Sequence, residues 1–296
     1  MRRLSPAEVG LLVTVVIWGL NFPLTKYAFE HGVRPLAWSG LRFFSAALIF
    51  AVVTLVFEGS LRMSRRDLSI LFGASVIGIW LNQIAFVYAI DTTTASTVAL
   101  VFGTLPIFTM LFARVTGIER MSKRVVAAAL VSFPGVALVA LGAHGGVAGN
   151  PRGISLALFS TATWALYSVV VAPMMSRYSP FRVSAVGLLI GGTLLIATAT
   201  PQIAEQDFDL PPTIWLLFAV TVVGALVITN VLWFTALDRV GPSRASLYAN
   251  LQPFLGVLFA VLLLSETLTL FQVIGGLGIA AGIVLARSRP ASPPAE

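Results

Sequence analysis

Trp18, Asn21 and Phe22 stand at i, i+3 and i+4, and Trp164, Tyr167 and Ser168 repeat that spacing far along the chain, the arrangement that places three side chains on one face of a helix. Further groups of the same kind are Trp80 with Asn82, Gln83 and Phe86, then Asn230 with Trp233, and Tyr248 with Asn250 and Gln252. Rings and neutral amides do not make or break covalent bonds. They stack and hydrogen-bond, so the chemistry on offer is recognition of a small amphipathic molecule. From these groups Trp18, Asn21, Phe22, Asn82, Gln83, Phe86, Trp164, Tyr167, Tyr248 and Gln252 form the expected wall of one site. The commoner use of any single tryptophan is packing or anchoring at a membrane interface.

Charged residues are placed differently. Glu8, Glu30, Glu58, Asp91, Glu119, Asp238 and Glu266 all map to the ends of apolar runs, which leaves no carboxylate at the centre of any of them. Glu119 and Glu266 each precede a new helix that Ser122 or Thr269 can cap, and a carboxylate is favoured beside a helix N-terminus. Lys26 and Arg42 lie near the ends of the first two helices, where a long cationic side chain snorkels to water or meets a carboxylate of a bound solute. Enzyme signatures are missing: there is no phosphate-binding glycine loop, no His-x-x-x-His pair, and only two histidines, His31 and His144, in loop-like surroundings. With no cysteine there is neither a disulfide framework nor a thiolate metal site. No catalytic residue, metal or cofactor is expected.

The elements that must hold such residues follow from composition. Only 10% of the 296 residues are charged and 57% are hydrophobic, against about a quarter charged in soluble chains. The basic residues sit singly or in small groups between apolar runs, which reads as membrane topology and not as nucleic-acid binding. Runs of about 20 residues, enough to cross the hydrocarbon layer, can be marked at 8–29, 36–58, 68–90, 94–116, 123–142, 152–174, 181–200, 212–236, 244–265 and 269–287. The fold expected is an all-α integral membrane protein with ten transmembrane helices.

These helices fall into two copies. Ser96, Pro106, Glu119, Ser122 and Gly135 each have a partner of the same or similar type 147 residues later, at Ser243, Pro253, Glu266, Thr269 and Gly282. Asp91 and Asp238 keep the same spacing, and Trp18 meets Trp164 at 146. Five helices per copy is an odd number, so the second copy enters the bilayer upside down and the repeats are inverted. With a cytoplasmic N-terminus the cationic residues divide 15 inside to 4 outside and both termini are cytoplasmic, as the positive-inside rule requires. The copies are expected at residues 1–142 and 152–287, with a Gly- and Pro-containing joint at 143–151 and a disordered tail at 288–296. Pro106 and Pro253 fall inside the fourth and ninth helices, where each removes a donor and frees the carbonyl of Phe102 or Ala249, giving a bend or bending point. Duplicated apolar segments of this kind are the mark of a secondary transporter whose site lies between its halves.

Leu264-Ser-Glu266-Thr-Leu-Thr269-Leu-Phe-Gln272-Val-Ile-Gly275 with Gly282, the weaker first copy Ile118-Glu119-Arg-Met-Ser122, and Trp18-Gly-Leu-Asn-Phe resemble the EamA-type transporters of the drug/metabolite transporter superfamily. The resemblance covers residues 8–287. It implies a cavity enclosed mainly by helices one to four and six to nine, and the export of amino acids or other metabolites. Arg120-Met121 departs from the family motif in the first copy. The aromatic and amide faces favour a neutral or zwitterionic solute, amino acids including aromatic ones, held without a fixed counter-ion and passed by alternating access. A nucleotide-sugar transporter, which would need several basic residues in the cavity, and a non-transporting membrane scaffold are the alternatives. The expected setting is the cell inner membrane, crossed many times, with a small-molecule substrate and the lipid bilayer as partners and no nucleic acid; a monomer is compatible with this.

Overall fold

The computed structural model describes residues 5–117, 123–141, 150–240, 245, 248–249 and 251–287. The joint glycines, the tail, Glu119, Ser122 and Asn250 lie outside the described residues. Five helices open on a proline in the first turn, where a missing N–H costs nothing and the fixed φ already suits the helix. They are α1 (Pro6–Glu30), α2 (Pro35–Glu58), α6 (Pro151–Ser176), α7 (Pro180–Ala204) and α8 (Pro212–Val240). The others are α3 (Arg65–Thr92), α4 (Ala95–Val115), α5 (Lys123–Leu141), α9 (Gln252–Leu264) and α10 (Leu270–Arg287). Ser5 and Glu8 close a reciprocal capping box on α1, and the Ser64 and Ser179 hydroxyls accept from the first turns of α3 and α7.

Every described element is helical. Seven of them, α1 to α4 and α6 to α8, are long and apolar enough to cross a bilayer, and shorter apolar helices run over Leu130–Val139, Gln252–Leu264 and Leu270–Gly282. Val56, Phe57, Leu216, Leu262 and Leu277 are more than 60% exposed, a surface that water would penalise and that lipid accepts. The chain is an integral membrane protein that spans the bilayer several times.

Contacts cross between the halves in matched pairs. α1 packs on α8 and α9, as α6 packs on α3 and α4, and α2 meets α7 as α5 meets α10. Glycines let the last two seams close: a methyl on Gly40 would lie 2.7 Å from Ala199 Cβ, and one on Gly135 would lie 2.7 Å from the Gly275 carbonyl. Helices α3 and α8 each contain a π segment, Val76–Leu81 and Thr221–Ile228. At the 147-residue offset the two segments end at the same position, and the second begins two residues earlier.

Both prolines stand just after an interruption of their helix. α4 is already interrupted at Gly103-Thr104, where N–H groups reach back three residues to Leu100 and Val101, and Pro106 opens the half-helix Leu105–Val115. In the second copy Leu251 N–H likewise reaches back to Tyr248, and Pro253 sits in the first turn of α9. Each proline therefore stands where its absent donor is not needed, directly after a tightened turn. The two interruptions touch, since a methyl on Gly103 would come within 3.4 Å of Pro253 Cγ.

Candidate functional site

A cavity lies between the halves, with about 90 Å³ open to the centres of water-sized occupants. Helices α1, α2, α3, α4, α6, α7, α8 and α9 all contribute to its wall. Trp18, Asn21 and Phe22 of α1 face Trp164 and Tyr167 of α6 across it, while Asn82, Gln83 and Phe86 enter from α3 and Gln252 from the start of α9. Tyr248 is not brought to this wall: its hydroxyl donates to Glu8 Oε1 at 2.9 Å. Its spacing of four from Gln252 implies a shared face only in an unbroken helix, and the turn at Leu251 resets that phase.

The rings form two groups. Trp18 meets Trp164 edge-on at 5.6 Å and Trp233 at 5.0 Å, and Trp164 stacks on Tyr167 at 5.6 Å. Phe22, Phe86 and Phe102 close a second triangle with centroids 5.3 to 5.8 Å apart. Tyr167 is wedged between two glycines, because a methyl on Gly78 would collide with its Cβ and one on Gly187 would lie 2.8 Å from its hydroxyl.

Polar groups of the wall are tied to one another. Asn82 donates to the Ser160 carbonyl at 2.6 Å and to the Ser160 and Thr163 hydroxyls at 3.1 Å. Its own oxygen accepts from Gln83 at 2.9 Å, and Gln83 in turn accepts from Ser39 at 3.1 Å. Carbonyls of the π segment of α8 accept from side chains: Ala225 O receives the Trp18 indole N–H at 3.2 Å, and Leu226 O receives Asn230 of the same helix at 2.6 Å. Trp18 also donates to Thr229 Oγ1 at 2.9 Å. Trp18→Phe keeps a ring but removes this donor, and is expected to lower stability by about 1 kcal/mol, read as a lower melting temperature of the purified protein in detergent.

Sequence reasoning placed Arg42 at a helix end; the structure puts it on the cavity wall, only 1% exposed. Seven residues into α2 is about 10 Å along the helix axis, too deep for the guanidinium to be carried out to water by its stem. Arg42 donates to Asn21 Oδ1 at 2.8 Å and lies 5.2 Å from the Trp38 ring centre. The site is thus not lined by uncharged groups alone. Aligning the prolines that open α2 and α7 sets Gly187 opposite Arg42, so the second copy has no equivalent cation there.

Both ends of the bundle carry polar ties, some within the first half and some across the halves. At one end Asp67 accepts from Ser64 at 2.7 Å, Tyr178 at 2.9 Å and Arg177 at 3.0 Å, while Glu58 binds Arg182 at 2.9 Å and Ser179. At the other, Lys26 Nζ donates to the carbonyls of Ile90 and Thr93 at 3.1 Å, closing the last turn of α3. Glu266 does serve as a helix cap, though of a distant helix: its two oxygens accept from Ala95 and Ser96 N–H of α4, each at 2.9 Å. Thr269 forms its box with Gln272 instead, and Gln272 reaches on to Thr97 at 3.0 Å.

The EamA-like transporter family matches the chain twice, over residues 5–141 and again over residues 151–288. An uncharacterized transporter of Archaeoglobus fulgidus is 24% identical over 285 residues, covering 94% of this chain and 97% of its own length. A Streptantibioticus cattleyicolor protein named "probable terminal-alkyne amino-acid exporter" is 28% identical, with 97% and 95% covered. The uncharacterized inner membrane transporter YedA of Escherichia coli K12 is 26% identical, with 90% and 86% covered. A solved crystal structure at 21% identity superimposes with a TM-score of 0.68 over 96% of this chain and 97% of the other, showing the same fold.

Proposed function

The chain belongs to the EamA-like transporter family, and from that membership we propose that it exports amino acids, aromatic ones included, or similar small amphipathic metabolites across the cell inner membrane. The observation that carries this is one cavity walled by both halves, with rings for an apolar body and amides for polar groups. The Streptantibioticus relative's name supports the amino-acid class, and that of YedA supports the inner membrane. Trp18, Asn21, Phe22, Asn82, Gln83, Phe86, Trp164, Tyr167 and Gln252 hold the solute.

In this reading ten helices cross the bilayer as two inverted five-helix repeats, residues 1–142 and 152–287, with both termini cytoplasmic. The crossed helix pairs support a two-fold relation between the halves, because each contact recurs with the halves exchanged. So do the ion pairs: Glu58 with Arg182 and Arg34 with Glu205 join residues that this topology assigns to the same side. The halves rock about the cavity, and the interruptions before Pro106 and Pro253 are where α4 and α9 bend. The cavity is complete within one chain, so a monomer suffices. A nucleotide-sugar carrier would need several cations to meet two phosphates, and among the described residues of the wall Arg42 is the one cation.

Proteoliposomes loaded with labelled amino acids and aromatic metabolites test the proposal. Saturable flux above that of empty liposomes is expected for at least one solute, and no flux for any of them overturns it.

A further inference from the structure

Arg42 is the one charged residue among the described residues that line the cavity. Burial of an unpaired guanidinium costs several kcal/mol unless an anion meets it. None of the ion pairs among the described residues includes Arg42, and its Nε is buried without a hydrogen-bond partner. What it has is one neutral amide, Asn21, a long contact of 3.5 Å to the Thr221 carbonyl, and the face of Trp38. A planar fork of donors beside an apolar chamber matches the two oxygens of a carboxylate.

The wall is also poor in sites for an ammonium group. Among its described residues there is no aspartate or glutamate. Three of its amide oxygens are already engaged: Asn21 by Arg42, Asn82 by Gln83, and Gln83 by Ser39. A zwitterion would leave the filled cavity with a net positive charge, whereas an organic monoanion would bring it to neutrality.

We propose that Arg42, oriented by Asn21, is a carboxylate subsite of the cavity, and that the preferred cargo is an amphipathic monocarboxylate whose nitrogen, where it has one, is uncharged, as in an aryl-alkanoate or an N-acyl amino acid. This rests on reading the cavity as the solute chamber and, among the solutes proposed for it, favours the amphipathic metabolites over free amino acids. The paired copy, with Gly187 opposite Arg42, adds no second cation, so dianions are disfavoured.

The test is equilibrium binding to the purified protein in lipid nanodiscs, followed by the fluorescence of the cavity tryptophans, with ligands of one shape and different charge. 3-Phenylpropionate and N-acetylphenylalanine are expected to bind at least tenfold tighter than phenylalanine, 3-phenylpropionamide or phenethylamine. Arg42→Gln is expected to weaken 3-phenylpropionate at least tenfold and to leave the propionamide within twofold; Arg42→Lys retains part of the preference. Should either variant fail to fold, the ligand series on the unaltered protein decides alone. Equal binding of anion and zwitterion, binding of none of the series, an unchanged anion preference in Arg42→Gln, or displacement of the series by chloride or phosphate at equal concentration overturns the inference. Flux in proteoliposomes separates the two levels. Transport of phenylalanine without 3-phenylpropionate overturns the subsite and leaves the exporter standing, while tight binding of 3-phenylpropionate with no flux upholds the subsite and removes the exporter.

Discussion

Gly78→Leu is expected to abolish transport and to cost about 3 kcal/mol of stability, the upper range for overpacking a tight interior. The reason is local and geometric. Any side chain at Gly78 points from the π segment of α3 into Cβ, Cγ and Cδ2 of Tyr167, and Tyr167 cannot retreat because Gly187 lies against its hydroxyl on the other side. The backbone must give instead, which moves α3 away from α6 and opens the wall that Asn82 ties to Ser160 and Thr163. Even Gly78→Ala is expected to lower stability by about 1–2 kcal/mol. Gly73 is the control, since a methyl there meets nothing within 4 Å; Gly73→Ala should be neutral or slightly stabilising, as helix propensity dictates. Thermal melting in detergent together with proteoliposome flux reads the difference, and wild-type behaviour of Gly78→Leu would show that α3 and α6 are not held at this separation.

Glu266→Ala ranks next, with an expected loss of about 2 kcal/mol. The carboxylate satisfies two first-turn donors of α4, Ala95 and Ser96, and places negative charge against the positive end of that helix. Glu266→Gln retains one acceptor and loses the charge, so about half the effect is expected. The contact joins the turn before α10 to the start of α4, which means that the damage should be local before it is global. Hydrogen exchange at the Ala95 and Ser96 amides should quicken more than tenfold in Glu266→Ala, and unaltered protection there would remove the capping role.

How much of this was legible in the sequence depends on the range of the signal. The faces of α1, α3 and α6 follow from spacings of three and four residues, and the structure brings Trp18, Asn21, Asn82, Gln83, Trp164 and Tyr167 to one cavity because those helices stay in phase between the residues concerned. Where phase is lost the reasoning fails with it, as for Tyr248, separated from Gln252 by the turn at Leu251. Arg42 was ambiguous because a position seven residues into a helix fits both a snorkelling chain and a buried one; only the neighbours Asn21 and Trp38, brought from the same and another helix, decide. The partners of Glu266 lie some 170 residues away and leave no local trace. The π segments have no composition of their own. They show only in backbone geometry, and their sequence signal is at most the glycines Gly78 and Gly224 within them.

The seam between α5 and α10 has a consequence for how the chain is made. About 130 residues separate the end of α5 from the start of its partner, so at roughly 5–20 residues per second a ribosome needs on the order of 6–26 s to deliver α10 after α5 has emerged. During that wait α5 has only lipid along the face that Gly135 will later press against Gly275. Such a strip of glycine and aliphatic carbon is at ease among acyl chains, whereas a strip of amides would invite wrong partners or the attention of membrane proteases. Asn82 meanwhile finds Ser160 on α6, the next helix to emerge, and the latest contact is made largely of groups that lose little by being alone.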